Sequence, residues 1–303
     1  LVLGAAALSA RYKWPKAGVG TAASLILVVL LWLTHEQVGY WRNDVALFSH
    51  AVAVTKDNLT AHLNLGYAYQ QSGRPDDAMN EYRAVLKLEP DNVRAHNNLA
   101  NLLDDSGQTD QAIAEFEQAL EIDPKYAPAH NNLGTLLVES GRIPEAMQHY
   151  SNAMILDPED WHAPFLLGKA LLRQGRDHES LAYFQKALQL SPNSLDVLTY
   201  LAQVLASDQD PSVRDGHAAY LLALKANALT GGNQPVMLDR LAMAFAEMGK
   251  FDDARQALGD AIDVAKRYGV TNDLAAMEQR LELYNQKQPY RQTFSVAPAK
   301  TGK

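Results

Sequence analysis

The chain has 303 residues, a formal net charge of −8, 47% hydrophobic residues and no cysteine. Without cysteine it has no disulfides, thiolate metal sites or cysteine nucleophiles, and the acidic balance argues against binding to a nucleic-acid backbone, which requires clustered Lys and Arg. Low Gly and Pro counts, with no run of alternating Val, Ile and Thr to indicate a sheet, favour an all-α protein.

The N-terminal region, residues 1–34, contains basic residues but no acidic ones. The chain begins with Leu, which is typical of a fragment or a processed product, and residues 1–10 suit the end of an apolar helix. A basic loop follows, and then an uncharged stretch over residues 17–34. At about 1.5 Å per residue, residues 14–34 are long enough to cross a hydrocarbon core of roughly 30 Å. We therefore predict a transmembrane helix over 14–34.

The same pattern has two other interpretations, a signal peptide and a buried helix of a soluble domain. If residues 14–34 do span a membrane, the basic loop that contains Arg11, Lys13 and Lys16 stays in the cytoplasm. Everything after Thr34 is then predicted to lie on the non-cytoplasmic side, in a periplasm or a lumen.

Residues 59–194 contain four copies of a 34-residue repeat without an insertion. Small residues at one position allow two antiparallel helices to approach closely, aromatic residues at a second position fill the gap between units, and a Pro ends the second helix. These three positions are occupied by Gly66, Ala100, Gly134 and Gly168, then by Tyr82, Phe116, Tyr150 and Phe184, and then by Pro90, Pro124, Pro158 and Pro192.

This pattern resembles the tetratricopeptide-repeat (TPR) family, and the resemblance implies a right-handed superhelical solenoid of helix pairs. The flanking sequence contains weaker copies of the repeat, and a more polar helix is expected to cap the last one. The predicted segments are a junction with an incomplete repeat helix (35–58), four units (59–92, 93–126, 127–160 and 161–194), a degenerate unit (195–234), a further unit (235–268), a capping helix (269–287) and a disordered tail (288–303).

Three asparagines, Asn64, Asn98 and Asn132, occupy the same position in the first helices of successive units, on the side away from the apolar stripe. In TPR proteins this side lines the concave groove. A carboxamide can pair with both the N–H and the C=O of an extended peptide, and the row resembles the asparagine ladder of O-linked N-acetylglucosamine transferase. We predict that it binds peptide backbone; alternatively, these residues are a common repeat consensus and are only solvated.

Four further residues on the same side, Tyr67, Asn101, Lys169 and Arg173, are predicted to tune the choice of ligand. Lys169 and Arg173 lie one helical turn apart. They are placed to bind a carboxylate, although a solvated face is the alternative interpretation.

Three recurring histidines, His62, His96 and His130, do not predict a metal site. Equivalent atoms in stacked units are separated by at least about 8–10 Å, whereas each zinc ligand must come within about 2.1 Å of the ion. We interpret them as packing residues and predict no metal and no cofactor. The sequence also lacks a glycine-rich phosphate loop and a nucleophile elbow, so this chain is not predicted to be an enzyme.

The junction "YWRNDVALFSHAVAVTKDNLTAHLNLGYAY" and the late helix "RLELYNQKQPYR" resemble the C-terminal part of membrane TPR-containing O-mannosyltransferases. The resemblance implies that glycosyltransferase residues lie upstream, outside this chain. We therefore predict a membrane-tethered protein-interaction module that holds an extended polypeptide acceptor or partner in its concave groove. The alternative is a non-enzymatic, membrane-anchored scaffold for envelope assembly or secretion.

Overall fold

The computed structural model describes residues 16–270 and 272–295, where regular structure is helical apart from one isolated bridge between Asp208 and Gln292. The predicted apolar helix end over 1–10 and residues 296–303 of the predicted tail lie outside the described residues. The described ranges contain α1 (Lys16–Tyr40), α2 (Asp44–Val54), α3 (Leu59–Gln71), α4 (Pro75–Leu88), α5 (Val93–Asp105), α6 (Thr109–Ile122), α7 (Ala127–Glu139), α8 (Ile143–Leu156), α9 (His162–Arg173), α10 (Asp177–Leu190), α11 (Leu195–Ser207), α12 (Gly216–Leu229), α13 (Pro235–Glu247), α14 (Phe251–Tyr268) and α15 (Leu274–Asn285).

Helix α1 contains most of the predicted membrane span. It continues beyond the uncharged stretch that ends at Thr34 and runs to Tyr40. Among the residues that the structure describes, no helix is long and apolar enough to cross a membrane. The transmembrane helix predicted over 14–34 is therefore not supported.

The described residues form two compact units, one that ends at Gln108 and one that begins at Thr109. In the first unit α2 packs on α3, α3 on α4 and α4 on α5, although α2 buries no side chain completely. In the second unit each helix from α6 to α15 packs on the next. Because every helix buries one face against its sequence neighbours, the opposite faces of the first helices are left for other contacts.

The repeated small and aromatic positions are the places where paired helices come closest. A Cβ atom added to Gly66 would lie 2.7 Å from the ring of Tyr82, and one added to Gly134 would lie 2.6 Å from the ring of Tyr150. Both tyrosine side chains are almost completely buried. The aromatic ring on the second helix therefore fills the space that a side chain on the first helix would occupy.

Capping asparagines begin several helices, and glycines allow the turns between them. Asn58 and Asn92 precede α3 and α5, and each side-chain oxygen accepts a hydrogen bond at 3.0 Å from a first-turn N–H. Between α3 and α4 the chain reverses at Gly73, whose φ of 70° costs little without a Cβ. The helix-capping asparagines therefore recur with the same 34-residue period as the core residues.

The extra residues of the degenerate unit form an ordered connection between α11 and α12. The Arg214 guanidinium donates to the carbonyl oxygens of Asp208 and Gln209, at 2.9 Å each. Val213 is buried, and the Asp215 N–H donates to the Leu205 carbonyl at 2.9 Å. The insertion is therefore accommodated outside the helix pair and leaves the packing of α11 on α12 in place.

A buried ion pair fixes the last helix, α15, to α13. The Arg280 guanidinium on α15 forms two 2.9 Å hydrogen bonds with the Asp239 carboxylate, and Asp239 is 1% exposed. Arg240 adds a third contact to the same carboxylate at 2.6 Å. Because a buried carboxylate needs partners, this contact specifies how α15 covers the end of the second unit.

Residues 288–295, the described part of the tail that the sequence predicted to be disordered, make defined contacts with the second unit. The Gln292 N–H donates to the Ser207 carbonyl at 2.7 Å, and Tyr290 and Phe294 pack against the core of the second unit. The segment lacks helical periodicity, but its contacts join residues far apart in the sequence, which local pattern reasoning does not detect. We call residues 288–295 the C-terminal segment.

Candidate peptide-binding surfaces

The asparagines that are adjacent in the sequence differ in burial. Asn97 is 4% exposed and Asn131 is 8% exposed. Asn64, Asn98 and Asn132, one position later in their repeats, are each half-buried. This difference follows from the 100° rotation per helical residue, which turns neighbouring side chains to different surroundings.

The two buried asparagines bond within their own surroundings. The Asn131 amide donates to the Asp160 carboxylate at 3.0 Å, which ties α7 to the loop before α9. The Asn97 amide donates to the side-chain oxygen of Asn98 at 3.2 Å. The first member of each pair therefore bonds within the protein, and Asn97 also contacts its neighbour Asn98, whereas the second member is half-exposed.

In the first unit, the predicted residues Asn64 and Tyr67 lie on α3, and Asn98 and Asn101 lie on α5. Tyr67 is 57% exposed, although aromatic side chains usually bury much of their area. Asn64 forms no hydrogen bond within the described part of the chain, and Asn101 is half-buried. This first-unit surface offers amide donors and acceptors beside an aromatic ring.

Tyr82 lies beneath this surface, and its hydroxyl is buried without a hydrogen-bond partner in suitable geometry among the described residues. Burial raises the pKa of Tyr82 to about 12, and the nearby Asn98 side chain opposes that rise. The hydroxyl is therefore neutral at physiological pH and is a donor close to Asn98. Sequence reasoning assigned this position only to packing.

In the second unit, the predicted residues Lys169 and Arg173 lie on α9, and Asn132 lies on α7. The Lys169 ammonium lies 5.4 Å from the ring centroids of both Phe165 and Tyr200. Burial lowers the pKa of Lys169, and the charge of Arg173 lowers it further. No carboxylate in the described ranges forms an ion pair with Lys169. The more distant charges of Asp196 and Glu139 favour its ammonium form, and the two aromatic faces add to this.

Two depressions adjoin Lys169. One, of about 70 Å³, is lined by Thr135, Glu139, Tyr150 and Arg173, and the Tyr150 hydroxyl donates to Thr135 there at 3.2 Å. The other, of about 610 Å³, is lined by Phe165, Lys169, Asp196, Tyr200, Gln203 and Arg240, among others. Lys169 and Arg173 thus border open space large enough for side chains of a ligand.

Sequence reasoning missed the aromatic floor of this second-unit surface. Phe165 and Tyr200 form an edge-on pair with centroids 5.7 Å apart. Tyr200 occupies the repeat position of the three asparagines, and sequence reasoning assigned it no role. An aromatic residue at that position, two repeats after Asn132, was the available signal.

The recurring histidines form local hydrogen bonds. His62 lies 2.6 Å from the Glu81 carboxylate, and the His96 and His130 rings lie 2.8 Å and 3.1 Å from the carbonyls of Pro90 and Pro124. His130 also lies 2.8 Å from the His149 ring. Where the structure is described, no group of three or more His, Cys, Asp or Glu residues is arranged to hold a metal ion.

Comparison with protein families gives three matches, and each is described as a tetratricopeptide repeat. They cover residues 63–127 and 131–194, residues 105–151, and residues 236–268. Together they span more than half of the chain and coincide with the helix pairs described above. The chain belongs to the tetratricopeptide-repeat family. A comparison of this TPR protein with curated proteins finds no match, so the resemblance to O-mannosyltransferases is not supported.

Solved structures share the TPR fold. Pseudomonas aeruginosa PilF has a TM-score of 0.61 and 24% identity, with 73% of this chain and 96% of PilF covered. PilW, a type IV pilus biogenesis factor, has a TM-score of 0.63 and 20% identity, with 74% of this chain and 100% of PilW covered. The Cut9–Hcn1 structure has a TM-score of 0.64 and 16% identity, with 78% of this chain and 45% of that chain covered. At these identities the likeness establishes the all-α repeat fold alone.

Proposed function

We propose that this TPR protein is a protein-interaction module that binds an extended polypeptide along the first helices of its repeats. The observation that carries the proposal is the different burial of adjacent asparagines. Asn97 and Asn131 are buried and bonded within the protein, whereas Asn64, Asn98 and Asn132 are half-exposed at one repeat position. Solvation alone does not require an amide at the same position in three repeats, whereas backbone binding does.

The first-unit surface suits the backbone of a peptide. Asn64 and Asn98 supply donors and acceptors, and exposed Tyr67 supplies an apolar face. Asn101 lies one turn beyond Asn98 on α5. An extended peptide exposes alternating N–H and C=O groups, so amides on successive helices bind it without reading its side chains.

The second-unit surface suits acidic or aromatic side chains of a ligand. Lys169 is half-buried beside two aromatic rings and forms no ion pair with a carboxylate of the described residues, and Arg173 lies one turn away. A ligand carboxylate that reached Lys169 would form a charge-assisted hydrogen bond in a partly desolvated place, where such bonds are stronger than on an open surface. These two cations therefore supply selectivity in an otherwise acidic protein.

The wider context is a proposal from the sequence alone. In it, the module is tethered through residues 14–34, lies on the non-cytoplasmic side, and holds the acceptor of an upstream glycosyltransferase. The alternative is a non-enzymatic scaffold for envelope assembly or secretion. An acidic pair near early membrane helices of a longer protein would favour the enzyme over the scaffold.

The proposal is tested by selecting linear peptides from a displayed random library on the full chain. The affinities of the selected peptides are then measured by fluorescence anisotropy for the wild type and for Asn64→Ala/Asn98→Ala/Asn132→Ala. We expect a loss of at least about tenfold, because each lost hydrogen bond contributes about 1 kcal/mol. Unchanged affinity with an intact helical spectrum would remove the asparagine row from the site, and failure to select any linear peptide would contradict the proposed function.

A further inference from the structure

The C-terminal segment lies across first helices of the second unit. Residues 286 and 287 connect it to the end of α15 at Asn285. Arg291 then pairs with Glu247 at the end of α13 at 2.6 Å, Gln292 bonds to α11, and Ser295 lies beside the turn after α9, where a Cβ on Gly175 would be 3.7 Å away. The segment therefore passes the repeats in reverse order from the end of the protein.

The segment binds α11 partly through its backbone. The Gln292 N–H donates to the Ser207 carbonyl at 2.7 Å, and residues 208 and 292 form a parallel bridge. The Gln203 amide donates to the Gln292 side-chain oxygen at 2.8 Å. This arrangement combines a main-chain hydrogen bond with a side-chain amide pair, as in the addition of a peptide strand to a protein surface.

Two aromatic residues anchor the ends of the segment. Phe294 packs on Tyr200 with ring centroids 6.1 Å apart. Tyr290 lies under the Arg280 guanidinium, 5.4 Å from it. Both rings are partly buried against the core. These contacts supply apolar burial as well as ring stacking.

The α11 residues in contact with the segment occupy the repeat positions proposed for ligand binding. Tyr200 is at the position of Asn64, Asn98 and Asn132, and Gln203 is at the position of Tyr67 and Asn101. On α11 these positions are thus contacted by an extended stretch of the same chain. The neighbouring depression of about 610 Å³ shares Tyr200 and Gln203 with the contact.

We propose that Tyr200, Gln203 and the α11 end at Ser207 form a peptide-binding site whose ligand is an extended segment with a glutamine followed two residues later by an aromatic residue. The chain's own Gln292 and Phe294 fill this site in cis and compete with a segment of the same chemistry from another polypeptide. This inference rests on the proposed function, and it specifies the ligand class of one site on the second unit.

The short connection makes the cis contact strong enough to mask the site. A ligand tethered through a few residues experiences an effective concentration on the order of millimolar. A free peptide with the same sequence therefore binds poorly until the anchors of the C-terminal segment are removed. The masking is a property of the covalent link, so weakening the anchors within the full chain exposes the site.

The test uses the full chain with Gln292→Ala/Phe294→Ala and a fluorescein-labelled peptide of residues 288–295 as the probe. Anisotropy is expected to show binding at least roughly tenfold tighter for the variant than for the wild type, because the tethered competitor is weakened. A labelled peptide with both anchors replaced by Ala should not bind. Adding Gln203→Ala to the variant should abolish binding of the natural peptide, whereas Thr293→Ala alone should leave the wild type unchanged.

Hydrogen exchange of residues 290–295 measures release independently of peptide binding. The Gln292 amide should exchange at least roughly tenfold faster in the double variant, because its protected state is lost. Unchanged exchange would overturn the inference, since the anchors would then not hold the segment. Faster exchange without peptide binding would overturn it as well. Library peptides that bind the wild type but require Asn64, Asn98 and Asn132 would support the proposed function in either case, so the two failures are distinguishable.

Discussion

At the scale of single residues, neighbours in the sequence have separate roles. Asn97 is 4% exposed and bonds to Asn98, which is half-buried at the surface. Helical periodicity predicts that the two side chains face different surroundings. It does not predict the partner of the buried residue, since the Asn131 contact with Asp160 depends on a loop almost a full repeat later.

The glycine of the repeat gives a prediction at this scale. Gly134→Ala should lower the free energy of unfolding by about 1–3 kcal/mol, because its Cβ would overlap the Tyr150 ring and overpack the helix pair. Gly259→Ala is the matched control, since a Cβ there meets nothing within 4 Å. It should raise stability by about 0.5–1 kcal/mol through helix propensity. Urea denaturation measures the free energy of unfolding of both variants, which should change in opposite directions. Equal changes would contradict the packing role of Gly134.

Asp208 gives a pH-dependent prediction. Burial raises the pKa of Asp208 from 3.8 to about 6, and the nearby charges of Asp177 and Asp210 add to the rise while Arg214 opposes it. The folded state therefore favours the protonated carboxyl, and this stabilisation is present below about pH 4 and is lost as the pH rises through about 6. Ionised Asp208 consequently destabilises the protein at neutral pH.

Asp208→Asn removes that charge and keeps the side-chain oxygen that accepts from the Asp210 N–H at 2.8 Å. The variant should melt at a higher temperature than the wild type at about pH 7.5, and the difference should shrink towards about pH 4.5. Thermal melts across this range measure it. A difference that does not change with pH would show that the carboxyl does not titrate there.

At the scale of elements, the helices were predictable from the 34-residue period, the capping residues and the proline positions. The contacts of the C-terminal segment were not predictable in this way. Its sequence has no repeat and no amphipathic pattern. Its order comes from contacts such as Gln203 with Gln292, which are 89 residues apart in the sequence. The transmembrane helix predicted over 14–34 is not supported, since no helix among the described residues is long and apolar enough to cross a membrane.

The attachment of α15 gives a prediction at this scale. Arg280→Ala should destabilise the second unit by about 1.5–3 kcal/mol, because the buried Asp239 carboxylate keeps Arg240 but loses its two hydrogen bonds to Arg280. Lys266→Ala is the control, since Lys266 on α14 pairs with Glu278 on α15 at 3.3 Å on an exposed surface. It should cost less than about 1 kcal/mol. Urea denaturation measures the free energy of unfolding of both variants. Similar losses of stability would contradict the role of the buried ion pair.

At the scale of the whole molecule, the chain combines an acidic net charge with a repeat fold whose first helices leave one face partly exposed. The fold was predictable because the small, aromatic and proline residues that pack a helix pair recur at the same positions in each repeat. The site was predictable only in part. The asparagine row followed from the sequence period, whereas the aromatic surroundings of Lys169 required side chains from two different helices.

The central claim, that a polypeptide binds along the first helices, is tested most directly by photocrosslinking to the library-selected peptides. The photoreactive residue p-benzoylphenylalanine replaces Tyr67 on α3 in one variant and Tyr268 at the end of α14 in another. These side chains are similarly exposed, at 57% and 67%. We predict crosslinks from position 67 and none from position 268. Crosslinks from position 268 with none from position 67 would contradict the claim.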